Sequence, residues 1–293
     1  MNCAIIINSL SGNSEFVEEK NLIDLFGEDY DTTVIYIYED TVLGDLSAFD
    51  RIVVCGGDGT LHSVINCNIS QTAQLFYLPY GTFNESEHNV QSSPKLTELG
   101  LAGTRYFSYV CAAGIFTPLG YIVSNKNKKR WKKLAYFSKI LQQYKVHRIP
   151  LKFEINGERH EGEYALVMAI DSPQCFGFKF NKMFAQDDGK LHFLAIKAPK
   201  HNGFLGAVEL FRPLFRTFFV GFKKPFRSKN ILFEPCKRVK LNLKNPVPFD
   251  MDGEKVEMQG RFDIRIAQCR YKLEIVSLSA LQKLQSEQNG ETV

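Results

Sequence analysis

The chain has 293 residues, 44% of them hydrophobic and 23% charged, with a net charge of +4. That is the composition of a soluble globular protein long enough for two domains, and so mild a charge does not by itself argue for nucleic acid. The seven cysteines are scattered, with no C-x-x-C pair and no Cys/His ligand spacing, which fits a reducing cytosol and argues against a disulfide framework or a zinc site.

The chain opens M-N-C-A-I-I-I-N-S, with no basic leader and an apolar run too short for a signal peptide. No run approaches the ~20 apolar residues of a membrane span, so membrane contact is expected to be peripheral. Residues 4–7 and 33–38 read as strands and 15–26 as a helix. The β-branched run Ile52–Val54 reads as a buried strand that stops at a turn holding Gly56, Gly57 and Gly59 around Asp58. After Thr60 a helix is expected, since Leu61, Val64 and Ile65 recur at helical spacing. Strand, glycine turn and helix start together make a phosphate cradle: glycines admit an anion close to the backbone, and the helix start supplies donors and the positive dipole end. Without a lysine in the loop, this is not a Walker A sequence. Asp58 is either a turn residue or a carboxylate that holds Mg²⁺ or takes a proton. His62 is expected on the helix surface. Leu75–Leu78 is a further apolar run, ending at Pro79. Strands alternating with helices predict a parallel α/β domain whose ligand lies beyond the carboxyl ends of the strands.

Past residue 104 the pattern is mostly strands: 106–112, 151–156, 163–170, 191–197, 231–235, 238–243, 262–267 and 271–276. Asn156-Gly157, Asp188-Gly189 and Asp252-Gly253 punctuate them as turns, which predicts an antiparallel β-rich domain. From Ser277 a short helix and a polar end follow. Lys126–Lys133 is strongly basic and is either a solvated helix face or a lipid-touching amphipathic helix. Phe204–Lys229 interleaves phenylalanines with cations, a pattern that suits an acyl-chain wall or a bilayer surface. Nucleic acid, its rival, lacks any accompanying motif.

Several motifs then line up in order. Asn8-Ser9-Leu10-Ser11-Gly12 resembles the N-P-x-S-G opening of bacterial diacylglycerol kinases and related lipid kinases. Gly56–Thr60 matches their GGDGT, and Leu78–Glu85 resembles their P-x-G-T-x-N-D. Asp187-Asp188-Gly189 resembles their N-D-G turn, and Met251–Glu254 their L-D-G-E. The resemblance covers essentially the whole chain. It implies an N-terminal three-layer α/β nucleotide-binding domain and a C-terminal antiparallel β-sandwich, with the active site in the cleft. The implied reaction is ATP- and Mg²⁺-dependent phosphorylation of a hydroxyl on a diacylglycerol-like lipid.

Carried over by position, Asn8, Ser9, Leu10, Gly56, Gly57, Asp58, Gly59, Thr60 and Thr82 would contact ATP. Glu254 would be the base, with Asp58 and Asp252 as metal or water-network carboxylates beside it. Asp188, with the backbone oxygens of Ala185 and Lys190, would make a structural Mg²⁺ turn. Four departures stand out: Ser9 for the proline of N-P-x-S-G, Phe83 after the G-T, Glu85 for the N-D aspartate, and Glu98 where the family has Asp. The domains expected are 1–94, 95–277 and a tail, 278–293, packing back on the first. The partners expected are a lipid substrate, a membrane surface and a second copy in a homodimer, with no nucleic acid; the location expected is cytoplasmic, at the membrane surface. The alternatives are an NAD kinase-like enzyme and a catalytically impaired lipid- or nucleotide-binding regulator. Carboxylates clustered for a metal should show raised pKa values in its absence.

Overall fold

In the computed structural model, residues 1–39, 41–82, 84–115 and 148–288 are described. Phe83 and the basic stretch Lys126–Lys133 lie outside them. The chain divides into two units: residues 1–97 with 268–293, and residues 98–267.

The first unit is a parallel α/β sheet. Strand β1 (Asn2–Asn8) pairs with β2 (Asp31–Ile37) on one side and β3 (Arg51–Gly56) on the other; β3 pairs with β4 (Gln74–Pro79), all parallel. Continuous apolar runs form the inner strands β1 and β3, which are covered on both faces, whereas the edge strand β2 has no fully buried residue. Cys3, Ile5 and Ile7 share one face with Val53 and Cys55, packed against Leu22 and Phe26 of helix α1 (Glu19–Phe26). Ala4, Ile6, Ile52 and Val54 point the other way and are equally buried. Helix α2 (Asp58–Ile65) follows β3 and buries Leu61, Val64 and Ile65. The helix expected over 15–26 is a 3₁₀ turn at Ser14–Phe16 followed by α1 from Glu19. Helix α2 begins at Asp58, ahead of Thr60, and buries His62 rather than exposing it, since Leu61, His62, Val64 and Ile65 are all covered.

The second unit is antiparallel. Its strands are β5 (Lys95–Ala102, starting just before the unit), β6 (Arg105–Phe107), β7 (Val110–Gly114), β8 (Ile149–Ile155), β9 (Glu158–Ile170), β10 (Leu191–Lys197), β11 (Phe226–Arg227), β12 (Ile231–Cys236), β13 (Arg238–Met251) and β14 (Glu254–Ile275). Long strands β9 and β13 each pair with β8 along one half and β7 along the other, closing a circuit around one core. That core holds Phe153, Phe193, Phe249 and Met251. Alternate residues of β7, β9 and β10 face a second core under helix α3 (Gly203–Phe215).

Two boundaries differ from expectation. The strands expected at 262–267 and 271–276 are one 22-residue strand, β14. Its last residues, Lys272–Ile275, pair in parallel with Gln74–Tyr77 of β4. Residues 268–277 therefore belong to the first unit, not to the second domain. The tail helix α4 (Leu278–Gln288) places Leu281 in the core beside α1.

Candidate active site

In the first unit three loops leave the carboxyl ends of β1, β3 and β4, and asparagines tie them together. Asn8 Nδ2 donates to Thr60 Oγ1 at 2.7 Å, while its Oδ1 accepts from the Leu10 N–H at 2.9 Å. Asn13 Nδ2 donates to the Gly81 carbonyl at 2.8 Å. Asn84, in the left-handed region with φ of 47°, donates from Nδ2 to the Pro79 carbonyl at 2.6 Å. Glycine lets the loops meet: a Cβ on Gly81 would stand 2.5 Å from the Gly57 Cα, inside any permitted contact.

Asp58 has a role the sequence did not reveal. Its Oδ2 accepts the Glu85 N–H at 2.7 Å and its Oδ1 the Ser86 N–H at 3.1 Å, with the Tyr77 hydroxyl at 3.4 Å. The carboxylate at the start of α2 thus clamps the loop after β4. Thr82 Oγ1 is shielded and has no partner among the described residues. A hydroxyl left over in a glycine-lined, amide-rich cradle fits a phosphate oxygen. Of the residues expected at ATP, Asn8, Gly56, Gly57, Asp58, Gly59, Thr60 and Thr82 all belong to these loops or their strand ends. Ser9 and Leu10 sit exposed on the first loop.

In the second unit the carboxylates gather around the start of β7. Asp252 and Gly253 are the two turn residues between β13 and β14, with φ of 54° and 94°, values that suit Asp-Gly in a tight hairpin. Asp252 is 1% exposed, and its carboxylate accepts three backbone N–H groups, from Ser108 at 2.5 Å, Tyr109 at 3.0 Å and Val110 at 3.1 Å. These bonds give Asp252 a structural role, holding β7 to the hairpin. Glu254 follows the turn and is exposed.

Asp250 is fully buried; its Oδ1 accepts the Gly253 N–H at 2.8 Å, and its Oδ2 has no partner among the described residues. Burial, reinforced by the charges of Asp252 and Glu254, pushes its carboxyl up to about 7. Asp171, at the end of β9, is likewise raised, by burial first and then by Glu98, Asp188 and Asp187. Raised carboxyl pKa values are therefore found at Asp250 and Asp171.

Neither residue was singled out by sequence. Asp250 has a readable signal, an aspartate two positions before D-G-E on the same side of the strand as Asp252. Asp171 has only its place after a long apolar run. At the turn proposed for Mg²⁺, Asp188 Oδ1 accepts the Lys190 N–H at 3.0 Å and Oδ2 lies 3.5 Å from Lys190 Nζ. Ala185 and Lys190 are exposed, and Glu98 Oε2 accepts the Gly189 N–H at 2.8 Å. The charges of Glu98, Asp188 and Asp187 act on Asp171, but among the described residues no three His, Cys, Asp or Glu side chains are placed to hold a metal ion.

A glycine-lined nucleotide cradle on a parallel sheet, carried in one chain with an antiparallel unit rich in strained carboxylates, is the build of a kinase that phosphorylates an alcohol. Residues 2–101 match the diacylglycerol kinase catalytic domain. The chain is 23% identical over 228 residues to the diacylglycerol kinase of Bacillus subtilis strain 168, covering 71% of this chain and 72% of that one. It is 27% identical over 229 residues to that of Staphylococcus aureus strain MRSA252, covering 68% and 70%. The crystal structure of a diacylglycerol kinase from Bacillus anthracis str. Sterne superposes with a TM-score of 0.59 at 18% identity, covering 93% of this chain and 96% of that one. Residues 2–101 thus resemble a diacylglycerol kinase catalytic domain, and the likeness to these kinases extends over about two thirds of the chain or more.

Proposed function

We propose that this protein transfers the terminal phosphoryl group of ATP to the hydroxyl of a diacylglycerol-like lipid. The observation that carries the reading is the cradle itself: three loops locked by asparagine and Asp58 hydrogen bonds, with the Thr82 hydroxyl left over. Backbone N–H groups at the start of α2 and the Thr82 hydroxyl would hold the phosphates. Asp58 acts through the loop it clamps and is a positioning residue. Glu254 takes the proton of the acceptor hydroxyl as that oxygen attacks phosphorus. Asp252 fixes the hairpin that presents Glu254. Mg²⁺ would arrive with the nucleotide phosphates and neutralise their charge, since among the described residues no three carboxylates are placed to hold it.

The experiment is an ATP-dependent phosphorylation assay with short-chain diacylglycerol, a sphingoid base, phosphatidylglycerol and NAD as acceptors, with and without Mg²⁺. Phosphorylated diacylglycerol formed only with ATP and Mg²⁺ is the expected result. Transfer to NAD alone, or to none of the four by a chain that binds ATP, refutes the proposal.

A further inference from the structure

Helix α3 and the π-helical turn that continues it, Arg216–Val220, are apolar on two faces. The inner face sets Leu210, Leu214 and Phe218 against Phe180, Phe222 and Phe233 in the second core. The outer face carries Phe204, Val208, Phe211, Phe215 and Phe219, which recur every three or four residues and so form one stripe. Their exposures are 82%, 54%, 61%, 47% and 55%. The rings stack along the helix, Phe211 on Phe215 with centroids 5.8 Å apart and Phe215 on Phe219 at 5.1 Å. A continuous ladder of large apolar side chains facing water is the kind of surface that marks an interaction site.

The charges around the stripe have one sign. Lys182 Nζ donates to the Val220 carbonyl at 2.8 Å, which fixes a cation at the end of the stripe. Arg212 is exposed on the helix itself, and Lys223 and Lys224 are exposed three and four residues beyond Val220. Among the described residues none of these four forms an ion pair. The only acid from 197 to 229 is Glu209. It is occupied by the His201 ring and by the Lys200 N–H, the latter at 2.7 Å.

We infer that this stripe is a docking surface for an anionic lipid bilayer, with the phenylalanines entering the headgroup–acyl boundary and the cations meeting lipid phosphates. A second copy of the chain fits the same face poorly. A two-fold interface would lay Arg212, Lys182, Lys223 and Lys224 against their own equivalents, while Glu209, the one acid of residues 197–229, is already engaged by His201 and Lys200. The inference rests on the lipid-kinase reading for its purpose, since a lipid hydroxyl is met at a membrane.

The full-length chain is sedimented with vesicles of phosphatidylcholine alone or containing about one-third phosphatidylglycerol. Wild type and the variants F204S/F211S/F215S and K223E/K224E are compared. Turnover of short-chain diacylglycerol dispersed as monomers is measured in parallel. Wild type should bind the anionic vesicles preferentially and release at high salt. The phenylalanine variant should bind at least about tenfold more weakly, with its thermal transition and its turnover of monomeric substrate unchanged. The lysine variant should lose the preference for anionic lipid.

Wild type that ignores the vesicles, or a phenylalanine variant that binds as tightly as wild type, overturns the inference. So does a wild-type dimer that the phenylalanine variant dissociates. Stripe-dependent binding without phosphorylation of any diacylglycerol would uphold the surface and fail the kinase reading. Turnover of monomeric and vesicle-borne substrate without vesicle binding would do the reverse.

Discussion

Replacing Asp252 by Asn changes almost no volume, yet it should cost more stability than any other single change near the D-G-E turn. The wild-type carboxylate is 1% exposed and takes N–H groups from Ser108, Tyr109 and Val110. An asparagine can keep Oδ1 toward Tyr109 and Val110, but its NH₂ then faces the Ser108 N–H, donor against donor. The charge-assisted bond to Ser108 is lost, worth roughly 1.5–3 kcal/mol, and a buried donor is orphaned at about 1–3 kcal/mol. Removing a negative charge from beside Asp250 returns part of this, because Asp252 is one of the groups that raise Asp250. The net expectation is a loss of roughly 3 kcal/mol, or about 6–12 °C in the melting temperature of a unit of this size. Thermal and urea melts followed by circular dichroism measure it, and hydrogen exchange at residues 108–110 localises it. A D252N chain within about 0.5 kcal/mol of wild type, with unchanged exchange there, would refute the structural role and return Asp252 to the list of catalytic candidates.

Glu254→Gln should do the opposite, since the side chain is exposed: an unchanged melt, ATP affinity near wild type by calorimetry, and turnover reduced about 10²–10⁴-fold. Normal phosphorylation by E254Q would place the base elsewhere. Asp250 makes stability depend on pH: its folded value of about 7 lies above the ordinary unfolded value of about 3.9, so the folded chain keeps a proton that the unfolded chain releases. Its stabilisation is full at the acid end of that window and declines as pH rises through 7, by up to about 1.4 kcal/mol per unit. Asp250→Asn keeps the acceptor for Gly253 and should flatten this slope and exceed wild-type stability at pH values above about 7; an unchanged slope in urea melts would show that another group titrates. Gly81→Ala drives a Cβ to 2.5 Å from the Gly57 Cα, so the loops must part. ATP affinity by calorimetry should fall about tenfold or more, with roughly 1–3 kcal/mol lost in stability, whereas affinity like wild type would mean that the loop contact is dispensable.

The parts of this fold visible in sequence are those governed by local pattern. The β-branched run at 52–54 and the glycines after it fix a strand and its turn by themselves. The Asp-Gly pairs mark hairpins because the backbone there needs positive φ. What sequence could not supply depends on distant partners. β14 continues unbroken where two strands were expected because its first part is held by β13 and its last by β4, an alignment no local signal encodes. In sequence, Phe204–Lys229 reads as phenylalanines interleaved with cations, without a helical period assigned. Its helix is specified by inner residues packing on the second core, and the outer phenylalanines carry none of that information. His62 is buried because α2 is covered on more than its obvious apolar stripe.

The candidate carboxylates divide by a criterion that applies equally in both units: where the lone pairs go. Asp58 and Asp252 are the aspartates of the two motifs, G-G-D-G-T and D-G-E, and composition alone would give them the same chemistry as their neighbours. Each instead accepts consecutive backbone N–H groups from a segment far away in sequence, Glu85 and Ser86 in one case and Ser108, Tyr109 and Val110 in the other. A carboxylate so engaged is an anchor that converts a flexible turn into a fixed one. Glu254 lies one residue past the Asp252–Gly253 turn and is exposed. A general base must exchange a proton and so needs an oxygen with access to the acceptor hydroxyl. In the reaction proposed, the anchor at Asp252 would make Glu254 effective as the base, because a side chain on a loose turn loses the geometry that proton transfer requires. Substitution at an anchor should therefore move stability and turnover together, and substitution at Glu254 should move turnover alone.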